Sequence, residues 1–160
     1  LLPPQSEAEV SRMVKDAFIA QGEKLSAFRK LELPSGRWLY TATLIRAGHR
    51  QPFFAEVASR SAICYVCHNV HFFYLFGRYG RVLAFEPLHL TKYGNVEWNQ
   101  ADLDHFINRV VGKPLDGTWN FDPRVDAVTS ATMTSAIIFD NLGRGRELLE
   151  ELRREKLLEP

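Results

Sequence analysis

Apolar residues near the start of the chain recur with the period of an α-helix. They follow the spacing i, i+3, i+4, i+7, i+8 at Val10, Met13, Val14, Ala17 and Phe18. Ser6 stands ahead of them with Glu9 three residues later, which is the pattern of a capping box. The pattern predicts an amphipathic helix that begins after Ser6 and ends near Gly22.

The next stretches favour β-strands. Residues 24–33 and 37–46 are rich in strand-forming residues and are separated by the turn Pro34-Ser35-Gly36. Residues 71–76 and 81–90 flank Gly77-Arg78-Tyr79-Gly80, which predicts a β-hairpin. The stretch 51–62 is ambiguous, and its pattern is compatible with a short helix that leads into a cysteine-containing segment.

The second half of the chain is predicted to be mainly helical. A helix is expected from Asn99 or Asp102 to Gly112, followed by a loop over 113–124. Another helix should start close to Thr132 and continue, after two glycines, as a charged tail over 147–158. The order of elements predicts one α+β domain over residues 1–160, with helices flanking a mainly antiparallel sheet. Residues 1–50 would form an N-terminal extension, and residues 146–160 a helical tail.

Composition narrows the possible partners. The chain has 160 residues, 46% of them hydrophobic and 24% charged, with a formal net charge of +1. This charge gives no field that would attract nucleic acid, and the apolar runs are too short to span a membrane. No charged region followed by an apolar one is present, so no signal peptide is expected in this sequence. Because the sequence opens at Leu1 without a Met, we expect a processed or trimmed product.

Small and hydroxyl-bearing residues crowd the predicted start of the helix near Thr132. The segment reads Asp126-Ala127-Val128-Thr129-Ser130-Ala131-Thr132-Met133-Thr134-Ser135. The unpaired N–H groups of a first helical turn and the helix dipole favour a bound anion, for which the alanines leave room. The simpler alternative is that Thr129, Ser130 or Thr132 caps the helix.

This segment resembles the flavinylation motif of FMN-binding domains. Such domains occur in the C subunit of sodium-pumping NADH:quinone oxidoreductase and in the G subunit of Rnf complexes. The motif has the form Asp-x-x-Ser/Thr-Gly/Ser-Ala-Thr, commonly extended by x-Thr/Ser-Ser, and glycine is usual where this chain has Ser130. The matching residues are Asp126, Thr129, Ser130, Ala131, Thr132, Thr134 and Ser135. Residues 88–94 and 99–112 are also similar to elements of the family.

The resemblance implies a specific modification. A flavin transferase would move FMN from FAD onto the hydroxyl of Thr132 and leave a phosphoester. A threonine hydroxyl at a helix entry sets the ester phosphate against free backbone amides. Asp126 would orient that hydroxyl or help the transferase to recognise it. By the same resemblance, Lys92-Tyr93-Gly94 would lie near the flavin ring.

The only two cysteines form a second candidate site. Cys64-Tyr65-Val66-Cys67-His68 is a C-x-x-C-H sequence, in which two thiols attach haem c and the histidine binds its iron. A dithiol or disulfide at Cys64 and Cys67, a zinc site that includes His71, and a purely structural role remain open. The sixth iron ligand is unknown, with His71, His49, His89, His105, Met13 and Met133 as candidates.

Together the two sites indicate an electron-transfer protein, not an enzyme that converts a substrate. FMN and haem c would relay electrons between redox protein partners. Haem c is attached outside the cytoplasm, so we expect a periplasmic or cell-surface location. The alternatives are an FMN-only shuttle with a disulfide or metal at the cysteines, FMN held without a covalent bond, and a non-redox anion-binding module.

Overall fold

Five antiparallel strands form one sheet in the order of the chain. The computed structural model describes residues 2–61 and 69–160. The strands of the sheet are β1 (Glu23–Glu32), β2 (Trp38–Arg46), β3 (His49–Arg60), β4 (Val70–Gly77) and β5 (Val82–His89). A two-stranded sheet follows, with β6 (Thr91–Lys92) and β7 (Val96–Glu97). The helices are α1 (Glu7–Ile19), α2 (Gln100–Val110), α3 (Pro123–Asp126), α4 (Thr132–Gly143) and α5 (Gly145–Arg154). The predicted α+β domain is therefore confirmed.

Both faces of the large sheet are covered. On one face, α1 buries Val10, Val14 and Phe18 against a cluster that includes Phe53 and Phe73. The other face carries the larger core, to which α2, α4 and α5 contribute. The buried side chains from these three helices include Phe106, Val110, Ile138, Phe139, Leu148 and Leu152. The first fifty residues supply α1, β1 and β2, so they belong to the same sheet as the rest of the domain.

The short helix considered for residues 51–62 is wrong. Residues 49–60 form β3, which pairs antiparallel with β2 on one side and with β4 on the other. Because helices cover both faces of the sheet, apolar residues point to both sides of this strand. The alternating pattern that marks a half-buried strand is therefore lost.

Other sequence predictions are confirmed. The Ser6 hydroxyl accepts a hydrogen bond from the Glu9 N–H and caps α1. Strands β4 and β5 form the expected hairpin. Asn99 caps α2, and its side chain and that of Asp102 complete a reciprocal capping box.

The end of the chain differs from its prediction in extent. Helix α5 starts at Gly145 and stops at Arg154, whereas the charged pattern predicts a helix over 147–158. Lys156 adopts a left-handed backbone with φ of 59°, and the N–H of Leu157 donates to the carbonyl of Leu152. These features terminate the helix before its sequence pattern ends.

None of the helices within residues 2–61 and 69–160 combines the length and the apolar character that a membrane crossing requires.

Candidate functional site

The motif segment connects two helices on the larger-core side of the sheet. Thr132 is the first residue of α4, as the sequence predicts, whereas the short helix α3, of which Asp126 is the last residue, was not predicted. Between them, the N–H of Ala131 donates to the carbonyl of Val128 over 2.9 Å and closes a tight turn. Val128 and Ala131 are buried, whereas Thr129, Ser130 and Thr132 are exposed. The first three hydroxyl-bearing residues of the motif are therefore exposed to solvent, while the buried Val128 and Ala131 anchor the turn.

Ser130 adopts a backbone conformation that favours glycine. Its φ is 63°, in the left-handed region that costs a residue with a Cβ about 1 kcal/mol. Glycine is usual at this position in the flavinylation motif that the segment resembles. A glycine would adopt this conformation without that cost, and Ser130 adopts it at a modest one.

The motif hydroxyls form two groups. The buried Ser135 Oγ accepts from the N–H of Val128 over 3.1 Å and donates to the carbonyl of Ala131 over 2.8 Å. Thr134 Oγ1 donates to the carbonyl of Thr91 over 3.1 Å. Ser135 thus holds the turn against α4, and Thr134 ties α4 to β6.

The second group of hydroxyls is free of such bonds. Thr129, Ser130 and Thr132 make no side-chain hydrogen bond to any residue in the described ranges. The residue that precedes α4 is Ala131, which has no polar side chain, and the helix lacks a side-chain cap. The capping alternative is therefore wrong, and the Thr132 hydroxyl lies exposed on the first turn of an uncapped helix.

The side chain of Asp126 is hydrogen-bonded to the loop that precedes the motif. Its Oδ2 accepts from the N–H of Asp122 over 2.8 Å, while Asp122 Oδ1 accepts from the N–H of Arg124 over 3.0 Å. These two bonds fix the short helix α3 and the entry to the turn. Asp126 makes no side-chain hydrogen bond to Thr132 among the described residues, and the bond it does make shapes the loop.

The small sheet lies beside the motif. The N–H of Tyr93 donates to the carbonyl of Ser130 over 2.8 Å, which holds the β6–β7 hairpin against the turn. Tyr93 is 82% exposed and Val96 52%, so the hairpin that contacts the turn carries two exposed apolar side chains, and Met133, next to Thr132 in the chain, is 46% exposed.

An ion pair supports this hairpin. Lys92 Nζ lies 2.8 Å from Asp102 Oδ2, and both side chains are largely buried. Burial alone would raise the pKa of Asp102. The hydrogen bonds from Lys92 and from the N–H of Asn99 outweigh burial, and the pKa lies below its ordinary value. The pair therefore fastens β6 to the first turn of α2.

Contacts between the hairpin and the motif are the part of the site that no local pattern indicates. The bond from Thr134 to Thr91 joins positions 43 residues apart. Only the family resemblance predicts that Lys92-Tyr93-Gly94 lies near a flavin bound at the motif. The exposed Val96 and the Lys92–Asp102 pair were not anticipated at all. The Asn99-x-x-Asp102 cap was the only local sign that Asp102 has a structural role.

The second candidate site falls outside the described residues, since Cys64, Cys67 and His68 belong to the segment 62–68. The described strands on either side of this segment are β3 and β4. β3 ends and β4 begins at the end of the sheet where β5 leads into β6. At that end of the sheet, His71 of β4 and His89 of β5 are cross-strand neighbours, with ring centroids 6.3 Å apart.

His71 is the buried member of this histidine pair. Its Nδ1 lies 2.8 Å from Ser59 Oγ. Burial, followed by the neighbouring His89, lowers the pKa of His71. The remaining candidates for a sixth iron ligand are dispersed: His49 begins β3 at the opposite edge, and His105 is exposed on α2. Met13 lies on α1, and Met133 follows Thr132.

Among residues 2–61 and 69–160, no group of three or more histidine, cysteine, aspartate or glutamate side chains is arranged to hold a metal ion. Comparisons with protein-family models, with curated proteins and with solved structures give no match to this chain.

Proposed function

We propose that this chain is an electron-transfer flavoprotein domain that carries FMN in phosphoester linkage to Thr132. The observation that carries the proposal is the separation of the motif hydroxyls. Ser135 and Thr134 hold the backbone, while Thr132 is exposed on the first turn of an uncapped helix. A residue that serves only to cap or to pack does not need that arrangement.

The surroundings of Thr132 fit an FMN phosphate and its ring. The start of α4 offers the backbone N–H groups and the positive end of the helix dipole to an anion. The small, buried Ala131 leaves the helix end open, and Ser130 occupies the left-handed position that the motif requires. Tyr93, Val96 and Met133 supply apolar surface against which an isoalloxazine ring would pack.

FMN accepts two electrons and releases them singly, which suits a relay between redox protein partners. The chain's own residues would bind the phosphate, orient the ring and limit its exposure to water. A flavin transferase would be needed for maturation.

The proposal extends to one haem c at Cys64, Cys67 and His68, and this part is supported by the sequence pattern alone. β3 ends and β4 begins at the end of the sheet where β5 leads into β6, which contacts the motif, and this topology is compatible with electron exchange between two cofactors. Covalent haem would require maturation outside the cytoplasm, so a periplasmic or cell-surface location belongs to the same proposal.

Coexpression with a flavin transferase tests the flavin linkage. The wild-type chain should retain flavin fluorescence on a denaturing gel, and Thr132→Ala should lose it. Thr118→Ala is the matched control, because Thr118 is also an exposed threonine but lies in the loop before α3. Fluorescence that persists in Thr132→Ala would place the flavin on another residue. Fluorescence that is absent from the wild type, while a known acceptor is labelled, would contradict the proposal.

A further inference from the structure

A second polar site lies at the end of the large sheet that is opposite the motif. There a cleft of about 560 Å³ is lined by the β4–β5 turn, the start of β3, the end of α5 and the residues that follow α5. Its charged lining consists of four cationic side chains, Arg50, Arg78, Arg153 and Lys156, and one carboxylate, Glu159. The whole chain carries a net charge of only +1, so this cleft concentrates positive charge locally.

The cations of the cleft are not neutralised by the protein. Within the described residues, none of the four lies within 4.0 Å of a carboxylate oxygen. Arg50 Nη2 donates to the Ser26 hydroxyl over 2.7 Å, which is a neutral partner. Glu159 lines the cleft but pairs with none of them. The positive charge is thus available to a ligand.

Two buried donors in the cleft lack acceptors. The Nε atoms of Arg78 and Arg153 are shielded from solvent, and no acceptor among the described residues bonds to them. The Arg78 guanidinium stacks on the Tyr79 ring, 4.7 Å from its centroid, and one of its Nη groups donates to the Tyr79 hydroxyl. The stacking and this hydrogen bond hold the guanidinium in place, and its Nε–H group remains without an acceptor among the described residues. Buried donors are rarely left unpaired unless a ligand or water completes them.

We propose that this cleft binds the phosphate group of a small molecule. Arg78 and Arg153 approach from different elements, a strand turn and a helix end. A tetrahedral phosphate offers oxygens in several directions and accepts such donors from two sides, whereas a planar carboxylate presents two oxygens in one plane. Lys156 and Arg50 supply further positive charge for a dianion. The site is independent of the flavin proposal, because it shares no residue with the motif.

The test uses the full chain and inorganic phosphate as the probe. The side-chain Nε–H signals of Arg78 and Arg153, observed by NMR, should shift saturably as phosphate is added. Acetate at the same ionic strength should leave them unchanged, and the signal of Arg124, an exposed arginine on α3, should not respond to either. The absence of a saturable shift, or an equal response to acetate, would overturn the proposal.

Variants then assign the site. Arg78→Gln and Arg153→Gln should each weaken phosphate binding tenfold or more in calorimetry, whereas Arg124→Gln should bind as the wild type does. Lys156→Gln removes an exposed charge without touching the buried donors, so it should fold normally and weaken binding by a smaller factor. Unchanged binding in all three cleft variants would overturn the assignment, whatever the wild-type titration shows.

Discussion

Two polar clusters on the same side of the sheet are built in opposite ways. In the first, Arg37 donates to both carboxylate oxygens of Glu56 over 2.9 and 2.8 Å, and the buried Tyr74 hydroxyl donates to Glu56 Oε1 over 2.7 Å. The second cluster consists of the exposed motif residues Thr129, Ser130 and Thr132. The Thr132 hydroxyl makes no side-chain hydrogen bond within the described residues. Fully paired polar groups at low exposure stabilise a fold, whereas an unpaired hydroxyl at a helix start contributes little to stability and is available for chemistry.

The paired cluster also connects distant parts of the domain. Arg37 Nη1 donates to the carbonyl of Arg144 between α4 and α5, and Glu151 of α5 accepts from both the N–H and the hydroxyl of Ser35. Burial, followed by the adjacent Glu56, raises the pKa of Tyr74 well above its ordinary value, so this phenol stays protonated and donates. The cluster therefore fastens the last helix to the β1–β2 turn.

The largest effect should come from breaking this cluster. Glu56→Gln leaves the Arg37 charge without its carboxylate, and we expect a loss of about 3 kcal/mol in the free energy of unfolding. Urea denaturation checks the value. Glu7→Gln is the control, because it removes the exposed Lys30–Glu7 pair and should cost no more than about 0.5 kcal/mol. Equal losses in the two variants would contradict the account of the cluster.

Ser135 should give the next largest effect, although it belongs to the motif. Ser135→Ala leaves the N–H of Val128 buried without its acceptor, and we expect a loss of about 2 kcal/mol. Thr134→Ala removes the bond that its partly buried hydroxyl donates to the carbonyl of Thr91, and it should cost about half as much. If urea denaturation finds Ser135→Ala neutral, its two hydrogen bonds do not hold the turn.

A smaller, pH-dependent effect is expected at Asp102. Its pKa is lowered in the fold, so the stability it contributes is present above its ordinary value of 3.8 and is lost as the pH falls through the lowered value. Asp102→Asn should therefore destabilise the domain by about 1 kcal/mol near neutral pH. The difference in the free energy of unfolding between variant and wild type should shrink as the pH falls below 3.8 and close once the pH has passed the lowered pKa of Asp102. A gap in urea midpoint that stays constant with pH would show that the charge of Asp102 is irrelevant.

The smallest effect on stability is expected at Thr132 itself. Because its hydroxyl bonds to no described residue, Thr132→Ala should change the free energy of unfolding of the unmodified chain by less than about 0.5 kcal/mol. Thermal denaturation of apo protein measures this. A loss comparable to that of Ser135→Ala would show that Thr132 has a structural role and would remove the contrast between the two clusters.

Local sequence signals predict α1, α2 and the β4–β5 hairpin because each of these elements has its own start or turn chemistry. Ser6 with Glu9, Asn99 with Asp102 and the glycines around Tyr79 act over a few residues. Strand β3 escaped prediction because the helices of both faces bury it. A Glu in its centre, Glu56, also has a partner, Arg37, that only the sheet brings near.

The residues of the candidate site can be predicted from the sequence, but the different roles of their hydroxyl groups cannot. The motif identified Thr132, Thr134 and Ser135 together, and nothing in the sequence tells which hydroxyl is bonded and which is exposed. That distinction depends on the left-handed turn at Ser130 and on the hairpin that carries Tyr93. Both are set by tertiary contacts across long stretches of chain.

The most direct test of the account is the intact mass of the denatured protein isolated from its native host. We predict the polypeptide mass increased by one FMN, and loss of that increment in Thr132→Ala. The control variant Thr118→Ala should keep it. A further increment of one haem would support the assignment of Cys64, Cys67 and His68. A wild-type chain with the bare polypeptide mass and no visible absorption would contradict the flavoprotein proposal.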